Sequence, residues 1–518
     1  MSQPFPGFIG PSYQLANRYA AIERTVNWYV VANEAPEEGK FHLGFEPSPG
    51  NQMFCFLPVP PPFNQPCRGL LELRGKAYGV NGTVVFSIDA NGNYTNLGAV
   101  ASDGKPVSMV ANGNGQIFIA SAGQGYVIAG SAVFPAGAGF LGAADSTFQD
   151  GYIIVVTPGT NQFQISGSQD VPLGDATLWD AGNVSAQAGQ ADLLVAARSS
   201  REYLRLFGQR RSQVLYDAGS GGIGAFPFQS YNETFIETGC GAQFSIADLG
   251  DSWVWIGQDA RGVRACWRDG AFQPQRISTF AIEQIWEGYA RIEDAVAFPY
   301  LWQGHLMYRI TFPSAFKSSL GVFTAASWEY DATVSDLLKR HVWHERAYQT
   351  PLGYSVGRPE LFHCYCYGLH LVGSGGADGN PGAIYQMGHL GTINQSPQLL
   401  LRWSNDGGNT WGNEQNIPLG LQGQYGALAY YNRCGYARDR VFWLRYAEET
   451  EWGNSPTGRT PLVRDRICPH LFNANRRTIY NRIQFELTHG IGSPDGAHPS
   501  PFLLGLVNAE LDLTACAS

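Results

Sequence analysis

The stretch SNDGGNTW, Ser404–Trp411, fits the Asp-box pattern Ser-x-Asp-x-Gly-x-Thr-Trp. In such a turn Asp406 accepts hydrogen bonds from its own loop, and Gly408 supplies the positive φ that the tight bend requires. Thr410 and Trp411 start the returning strand, and the indole covers the base of the hairpin. We therefore predict a structural turn, of a kind that recurs in β-propellers, made by Ser404, Asp406, Gly408, Thr410 and Trp411.

The composition around this turn favours many short strands. The 518 residues include 63 glycines and 30 prolines, 13% are aromatic, and only 15% are charged. Disordered chains have few aromatic residues and many charged ones, so this chain is expected to fold. Abundant glycine together with abundant aromatic residues indicates short strands joined by tight turns. The prediction is an all-β fold.

β-Rich runs recur along the chain after Cys67. They are centred on residues that lie 40, 34, 52, 49, 54 and 57 positions apart: Tyr78, Phe118, Tyr152, Leu204, Trp253, Met307 and Cys364. Units of about 40–50 residues are typical of propeller blades, and longer intervals would carry loop insertions. We therefore predict a β-propeller with loop insertions, of about six or seven blades, over residues 66–485. A two-sheet sandwich is the competing all-β fold, but the chain is too long and too evenly punctuated for one.

The two ends of the chain differ from this pattern. Ten prolines lie within the first 62 residues, so residues 1–65 are predicted to form an extended arm rather than a regular domain. Residues 486–518 form a C-terminal segment that could close the last blade. The arm itself has two open alternatives. It could dock on a neighbouring subunit, or it could add a strand to the last blade and so close the propeller.

Charge and cysteine content exclude several classes of protein. The formal charge of −9 argues against a general nucleic-acid-binding protein, which would carry a basic stripe. The first ten residues lack a basic start and an apolar core, so a secretory leader is not expected. No apolar run approaches the ~18 residues of a membrane helix. The nine scattered cysteines are expected to be free thiols in a reducing cytoplasm.

Three segments together resemble one protein family. They are Gly10–Tyr13 with Glu23–Tyr29, then Gly75–Val80 with Val107–Gly113, and last Leu400–Ser404 continued through the Asp box to Arg440. In this order they resemble the packaged-DNA stabilisation proteins of short-tailed bacteriophages, also called tail hub proteins, nozzle proteins or tail accessory factors. The resemblance extends from about residue 10 to about residue 485. This chain has Val30-Val31 where such proteins have a proline, so the exit of the arm is expected to differ.

The resemblance implies a non-enzymatic component of the virion with a β-propeller fold. It implies a homohexameric ring that attaches below the portal and its adaptor, closes the tail channel and retains packaged double-stranded DNA until ejection. Tail spike, fibre or needle proteins would be further partners, and assembly would take place in the host cytoplasm. The DNA would be held without sequence-specific binding, because a negative lumen repels the duplex. No membrane, cofactor or metal is implied.

Candidate contact residues lie in the arm and in an arginine-rich segment. Trp28 and Tyr29 are expected to be apolar anchors of the arm on a neighbour, and Arg24 to pair with a carboxylate there. Residues 433–482 contain ten arginines against five acidic residues. In this segment Arg438 and Arg440 are expected to pair with acidic faces of neighbouring subunits or of the adaptor. Binding of a ligand's carboxylate or phosphate is the alternative role for these arginines.

Glycoside hydrolysis is the main alternative function, because some propellers are sialidases or other glycosidases, and a carbohydrate-binding propeller is a second one. Such enzymes need paired carboxylates, or an arginine cluster with a tyrosine nucleophile. No catalytic pair of carboxylates is recognisable in this sequence. A metal site is suggested by the spacing of His363, Cys364, Cys366 and His370. In a strand, however, the two cysteines share one face while His363 points to the other, so a buried strand is expected instead.

Overall fold

The computed structural model describes most of the chain as β-structure. The described residues are 2–34, 42–55, 65–167, 175–187, 192–200, 202–219, 226–258, 262, 264–270, 272–350, 355–388, 398–417, 428–452, 459–473, 476–488 and 505–515. The N-terminal segment contains β1 (Ser2–Pro4), β2 (Tyr13–Gln14), β3 (Ile22–Val26), β4 (Trp28–Ala32), β5 (Leu43–Pro47) and β6 (Gly50–Cys55). The all-β prediction is confirmed.

Sheets then follow one another along the chain. The first contains β7 (Cys67–Leu73), β8 (Lys76–Asn81), β9 (Val84–Ile88) and β10 (Tyr94–Ala99). The second contains β11 (Ser108–Ala111), β12 (Ile117–Ser121), β13 (Gln124–Ala129) and β14 (Ala132–Pro135). The third contains β15 (Asp145–Gln149), β16 (Tyr152–Val156), β17 (Gln162–Ser166) and β18 (Trp179–Ala186). The fourth contains β19 (Leu194–Ser200), β20 (Tyr203–Gly208), β21 (Ser212–Asp217) and β22 (Phe228–Ile236).

Two short helices accompany the next three sheets. The fifth sheet contains β23 (Gly239–Cys240), β24 (Ala247–Asp248), β25 (Trp253–Gln258), β26 (Arg264–Asp269) and β27 (Gln275–Arg276), and α1 (Phe280–Glu287) follows it. The sixth contains β28 (Val296–Trp302), β29 (His305–Lys317), β30 (Phe323–Asp331), then α2 (Ala332–Leu338), β31 (Trp343–Gln349) and β32 (Ser355–Gly357). The seventh contains β33 (Glu360–Cys366), β34 (Leu369–Ser374) and β35 (Ile384–Gly388).

The remaining strands lie at the C-terminal end. They are β36 (Gln398–Ser404), β37 (Gln415–Ile417), β38 (Leu428–Ala437), β39 (Asp439–Trp452), β40 (Arg459–Ile467), β41 (Leu471–Phe472), β42 (Thr478–Thr488) and β43 (Gly505–Ala515).

The antiparallel hairpins follow from the local sequence. Strands β9 and β12 are buried along their whole length, and each is a short run that is apolar apart from one serine. Tight turns separate such runs. Between β15 and β16 the turn consists of Asp150 and Gly151, whose φ values are 51° and 89°. Both central residues of a type I′ turn need positive φ, and Asp-Gly is among the sequences that tolerate it best.

Successive sheets contact one another around a closed ring. Strand β7 contacts β11, β11 contacts β15, and β15 contacts β19. The ring continues through β20 with β23, β24 with β28, and β28 with β33. It closes because β33 contacts β7. This arrangement of sheets around one axis is a β-propeller, as the sequence predicts.

The N-terminal segment supplies the outermost strand of the seventh sheet. Strand β6 pairs antiparallel with β35, so that Asn51 lies opposite Met387 and Gln52 opposite Gln386. Of the two alternatives for the arm, the structure therefore contains the added strand. The C-terminal segment does not take this place, because β43 pairs with β42, β1 and β5 in another sheet.

A β-sandwich stands beside the ring. One of its sheets has the order β38-β42-β43-β5-β4, with β1 paired to β43. The other has the order β3-β40-β39-β36-β37 and continues from β31 of the sixth ring sheet. A single core fills the space between them, and it includes Phe8, Trp28, Leu401, Phe442 and Phe485. Strands β36–β43 thus lie outside the ring, although the predicted propeller span of residues 66–485 includes most of them.

Residues 2–34 and 42–55 are built into this body rather than extended away from it. Strand β3 lies between β31 and β40, parallel to the first and antiparallel to the second. Phe5 and Phe8 are buried in the sandwich core, where Phe5 contacts Phe442 and Phe8 contacts Phe485. The expectation of an extended arm is therefore wrong for the described residues of the segment. The prolines break it into short strands without keeping it out of the fold.

Candidate assembly surface

The Asp box forms the turn between β36 and β37, and its polar groups are used within the loop. Asp406 accepts hydrogen bonds from the backbone N–H groups of Asn409 and Thr410, at 3.1 and 2.9 Å. The Ser404 and Thr410 hydroxyls also donate to this carboxylate, each at 2.6 Å. These hydrogen bonds, first that from Ser404, lower the pKa of Asp406 to about 2. Gly408 has φ of 85° and donates its N–H to Ser404 Oγ at 2.8 Å.

The position of this turn differs from what the sequence suggests. The Asp box belongs to the sandwich and not to a sheet of the ring. Trp411 stands edge-on to Trp443 of the neighbouring strand β39, with ring centroids 5.1 Å apart. The five predicted turn residues are thus engaged in local contacts, and the motif marks a hairpin that this chain uses outside its propeller.

Trp28 and Tyr29 are anchors inside this chain. Their exposed fractions are only 2% and 1%. The Trp28 ring lies against Phe45 and Tyr446, with centroids 6.0 and 6.3 Å away. The Tyr29 hydroxyl donates to Glu46 at 2.8 Å and also contacts Gln303. The expected role as anchors on a neighbouring subunit does not agree with this burial.

Arg24 also finds its carboxylate within the chain. Its Nε and Nη2 atoms donate to Glu345 Oε1 and Oε2, at 2.9 and 2.5 Å. Glu345 lies in β31 of the ring, so this two-pronged pair ties the N-terminal segment to the propeller. The carboxylate that pairs with Arg24 in the structure therefore belongs to the same chain, whereas the expectation placed it on a neighbour.

Arg466 holds the beginning of the chain, a role that we did not predict from the sequence. It is buried in β40 and donates to the backbone carbonyls of Gly7, Phe8 and Gly10, at 2.8, 2.8 and 3.2 Å. It also donates to the Thr25 hydroxyl at 2.8 Å. Burial lowers its pKa. The arginine-rich segment was the signal in the sequence, but the number of arginines does not tell which of them point inward.

The two predicted arginines of this segment have different surroundings. Arg440 is buried, donates to the carbonyl of Cys434 at 2.7 Å, and lies 4.5 Å from the centroid of the Tyr480 ring. Burial lowers its pKa to about 10. It is therefore not available to a partner. Arg438 is exposed in the turn between β38 and β39.

Arg438 belongs to a surface that combines arginines with exposed apolar side chains. Tyr436 and Phe472 are 60% and 62% exposed, and Ile479 lies opposite Tyr436 in the neighbouring strand. The Arg477 guanidinium lies 5.1 Å from the centroid of the Tyr436 ring. We call this region the basic–aromatic surface; it consists of Arg433, Tyr436, Arg438, Phe472, Arg477 and Ile479. None of its three arginines forms an ion pair with another residue in the described part of the chain.

A cavity of about 440 Å³ lies at the axis of the ring, and every sheet of the ring contributes to its lining. The lining includes Leu70, Met109, Thr147, Arg198, Ala247, Phe298 and His363.

The histidines and cysteines of β33 and β34 lie on opposite faces of the seventh sheet. Cys364 and Cys366 are buried on one face of β33. On the other face His363 and His370 are half-buried, and His363 Nε2 lies 3.0 Å from His370 Nδ1. Burial lowers the pKa of His363 to about 3. Within the described ranges, no three His, Cys, Asp or Glu side chains come together as metal ligands would. The eight cysteines in those ranges are buried and unpaired.

In the part of the chain that the structure describes, no helix is long and apolar enough to cross a membrane.

Two protein-family models match the chain in succession. The model described as "Bacteriophage P22 Gp10, beta-propeller" matches residues 68–385, which is more than half of the chain. The model described as "Bacteriophage P22 Gp10, beta-sandwich" matches residues 381–455. The change from one model to the other falls at β35, where the ring of sheets ends and the sandwich strands begin. No curated protein matches the chain in sequence.

Solved structures resemble the chain at low identity. A virginiamycin B lyase from Staphylococcus aureus is 8% identical, covers 63% of this chain and 95% of its own, and has a TM-score of 0.39. The computationally designed Ika8 protein is 9% identical, with 65% and 99% covered and a TM-score of 0.36. A putative 6-phosphogluconolactonase from Bacteroides fragilis is 10% identical, with 70% and 93% covered and a TM-score of 0.30. Similarities of this extent carry no conclusion about function.

Proposed function

Because the chain belongs to the bacteriophage P22 Gp10 family, we propose that it is a tail hub protein that attaches below the portal and its adaptor. In this role it closes the tail channel and retains the packaged DNA until ejection. The observation that carries the proposal is the succession of a propeller and a sandwich that each match the corresponding family model. The family membership also makes the chain a structural protein of the phage tail, and hence a component of the virion.

We further propose that each sheet of the ring is one blade, which makes seven blades. The order of contacts from β7 through β33 and back to β7 supports this number. The proposal places the DNA between several copies and not within one propeller, and a homohexameric ring is the proposed arrangement. The formal charge of −9 on each copy suits a lumen that repels the duplex and does not bind it.

The proposed role is non-enzymatic. The arginines of the sandwich support this role, because several of them are engaged in the fold and the exposed ones accompany aromatic residues, as in protein contacts. The proposed partners are the portal and adaptor proteins above the ring and the tail spike, fibre or needle proteins below it. Assembly in the host cytoplasm is part of the same proposal.

Retention of DNA by assembled particles tests this function. Particles produced without the protein should package DNA and then lose it, and addition of the purified protein directly after packaging should prevent the loss. The amount of nuclease-resistant DNA per particle measures both effects. Particles that keep their DNA equally well without the protein would contradict the proposal. Turnover of a glycan that is abolished by substitution of a single carboxylate would replace it by the glycosidase alternative.

A further inference from the structure

A second surface, at the ends of the third and fourth ring sheets, has the opposite charge to the basic–aromatic surface. It is a cleft of about 570 Å³, which we call the tyrosine cleft and define by Asp150, Glu202, Tyr203, Tyr216, Asp217 and Tyr231. The rings of Tyr203 and Tyr231 meet edge-on at 4.9 Å, and those of Tyr216 and Tyr231 at 6.2 Å. Three carboxylates thus surround an aromatic cluster.

Among the residues that the structure describes, the carboxylates of this cleft have no cationic partners. Asp150, Glu202 and Asp217 form no ion pair there, and Asp217 accepts the N–H of Gly219 at 2.8 Å. On the basic–aromatic surface, conversely, Arg433, Arg438 and Arg477 have no carboxylate partner in the described part of the chain. Each surface therefore offers the charges that the other one needs. Both also present tyrosines, and tyrosine and arginine are enriched among the residues that dominate binding at protein interfaces.

The two surfaces lie on different parts of the chain. The tyrosine cleft belongs to the third and fourth ring sheets, whereas the basic–aromatic surface belongs to the sandwich, whose second sheet continues from the sixth ring sheet. No strand is shared between these regions. A contact between two different surfaces of identical chains is head-to-tail, and repetition of such a contact produces a ring when the rotation closes.

We propose that the basic–aromatic surface of one copy docks into the tyrosine cleft of a second copy. The arginines meet the three carboxylates, and Tyr436, Phe472 and Ile479 cover the tyrosine rings. This contact rests on the proposed function in one respect, namely that several copies form a ring. The new element is the pair of surfaces that forms each contact of that ring.

Charge reversal tests the contact with the full chain in solution. Arg438→Glu and Glu202→Arg should each weaken self-association by about tenfold or more, because a like charge then faces each surface. An equimolar mixture of the two variants should regain association, since the reversed charges complement one another. Sedimentation velocity measures both effects. Arg210→Glu, the same change at an exposed arginine in the turn between β20 and β21, is the matched control and should leave self-association unchanged.

A cysteine pair tests the same contact in assembled particles. Arg438→Cys together with Glu202→Cys in one chain should give covalently linked multimers on oxidation, and neither single variant should do so. The eight described native cysteines are buried and do not compete. Absence of cross-links, together with unchanged association of the charge variants, overturns the inference. If this contact is not found but the protein still retains DNA in particles, the proposed function remains valid. If the cross-links form but the protein proves unnecessary for DNA retention, the contact remains valid and the proposed function is wrong.

Discussion

Asn27 joins the propeller to the sandwich through one buried side chain. Its amide donates to the carbonyls of Ala347 in β31 and Val463 in β40, at 2.9 and 2.8 Å, and it accepts the N–H of Ala347 at 3.0 Å. Its φ of 55° suits asparagine or glycine. Asn27→Gly should therefore lower the free energy of unfolding by about 2–4 kcal/mol, because it leaves buried backbone groups unpaired without straining the backbone. Urea unfolding followed by tryptophan fluorescence measures the loss.

Lys339→Gly is the matched control for this substitution. Lys339 has a similar φ of 53°, but it is exposed at the C-terminal end of α2. Since glycine is well tolerated at such an end, we expect a change of less than about 1 kcal/mol in the free energy of unfolding. Equal losses in the two variants would show that the hydrogen bonds of Asn27 contribute little.

His344 should make the stability of the protein depend on pH. It is buried in β31, and burial lowers its pKa to about 4, against the opposing effect of Asp331 and Glu329. In the unfolded chain its pKa is about 6.5, so between these two values the unfolded state binds a proton that the folded state does not. The free energy of unfolding should therefore fall, by on the order of 3 kcal/mol, as pH decreases from about 6.5 to about 4. His363, with a pKa of about 3, adds to the same trend.

Urea titrations at several pH values measure this dependence. His344→Gln keeps a polar side chain that can accept the N–H of Val30, which His344 Nε2 accepts at 3.3 Å. The variant should lose part of the slope between pH 6.5 and 4. An unchanged slope would assign the pH dependence to other groups.

The N-terminal segment acts as a set of strands that completes three sheets. Strand β6 closes the seventh ring sheet, β3 joins the ring to the sandwich, and β4 and β5 belong to the other sandwich sheet. Phe5 and Phe8 add to the sandwich core, and full burial of one such side chain contributes about 1.5–3 kcal/mol. Removal of this segment therefore affects the whole fold, and not only a contact with a neighbour.

Deletion of residues 1–55 should prevent folding of the chain. Soluble yield, size-exclusion chromatography and circular dichroism of the purified protein measure the outcome. Deletion of residues 1–4 is the control, because it removes only β1 at the edge of a sheet and leaves Phe5 in place. A stable, monodisperse protein that lacks residues 1–55 would show that the segment is an independent arm.

The all-β fold and the propeller were predictable from the sequence, but the boundary between propeller and sandwich was not. Glycine-separated apolar runs predicted the all-β fold and the propeller, because each blade is made of local hairpins. The same pattern continues through β36–β40, because sandwich strands also alternate with turns. The pattern of apolar runs and turns therefore does not change at β35, where the ring ends. The pairing of β6 with β35 joins residues more than 300 positions apart, and no local pattern specifies such a partner.

The identity of the candidate contact residues likewise did not predict which of them are buried and which are exposed. The aromatic residues of β4 have the composition of an interface anchor, yet Trp28 and Tyr29 are buried in the chain's own core. The sequence identified the arginine-rich segment, but it did not separate Arg440 and Arg466, which point inward, from Arg438, which faces solvent. Arg466 is held by backbone carbonyls of Gly7, Phe8 and Gly10, and Arg440 donates to the carbonyl of Cys434. Every residue has a backbone carbonyl, so residue identity does not predict such acceptors.

The two parts of the molecule should unfold together. The order β31-β3-β40 makes one continuous sheet of the sixth ring sheet and the sandwich, and the N-terminal segment contributes to both parts. A boundary crossed by shared strands is costly to open, because both sides lose backbone hydrogen bonds and buried apolar contacts at once. We therefore expect one calorimetric transition, with agreement between the calorimetric and van't Hoff enthalpies. Asn27→Gly should lower the temperature of this transition without dividing it, because strands β3, β31 and β40 still join the two parts. Two transitions in the unmodified chain would show instead that propeller and sandwich are independent despite their common sheet.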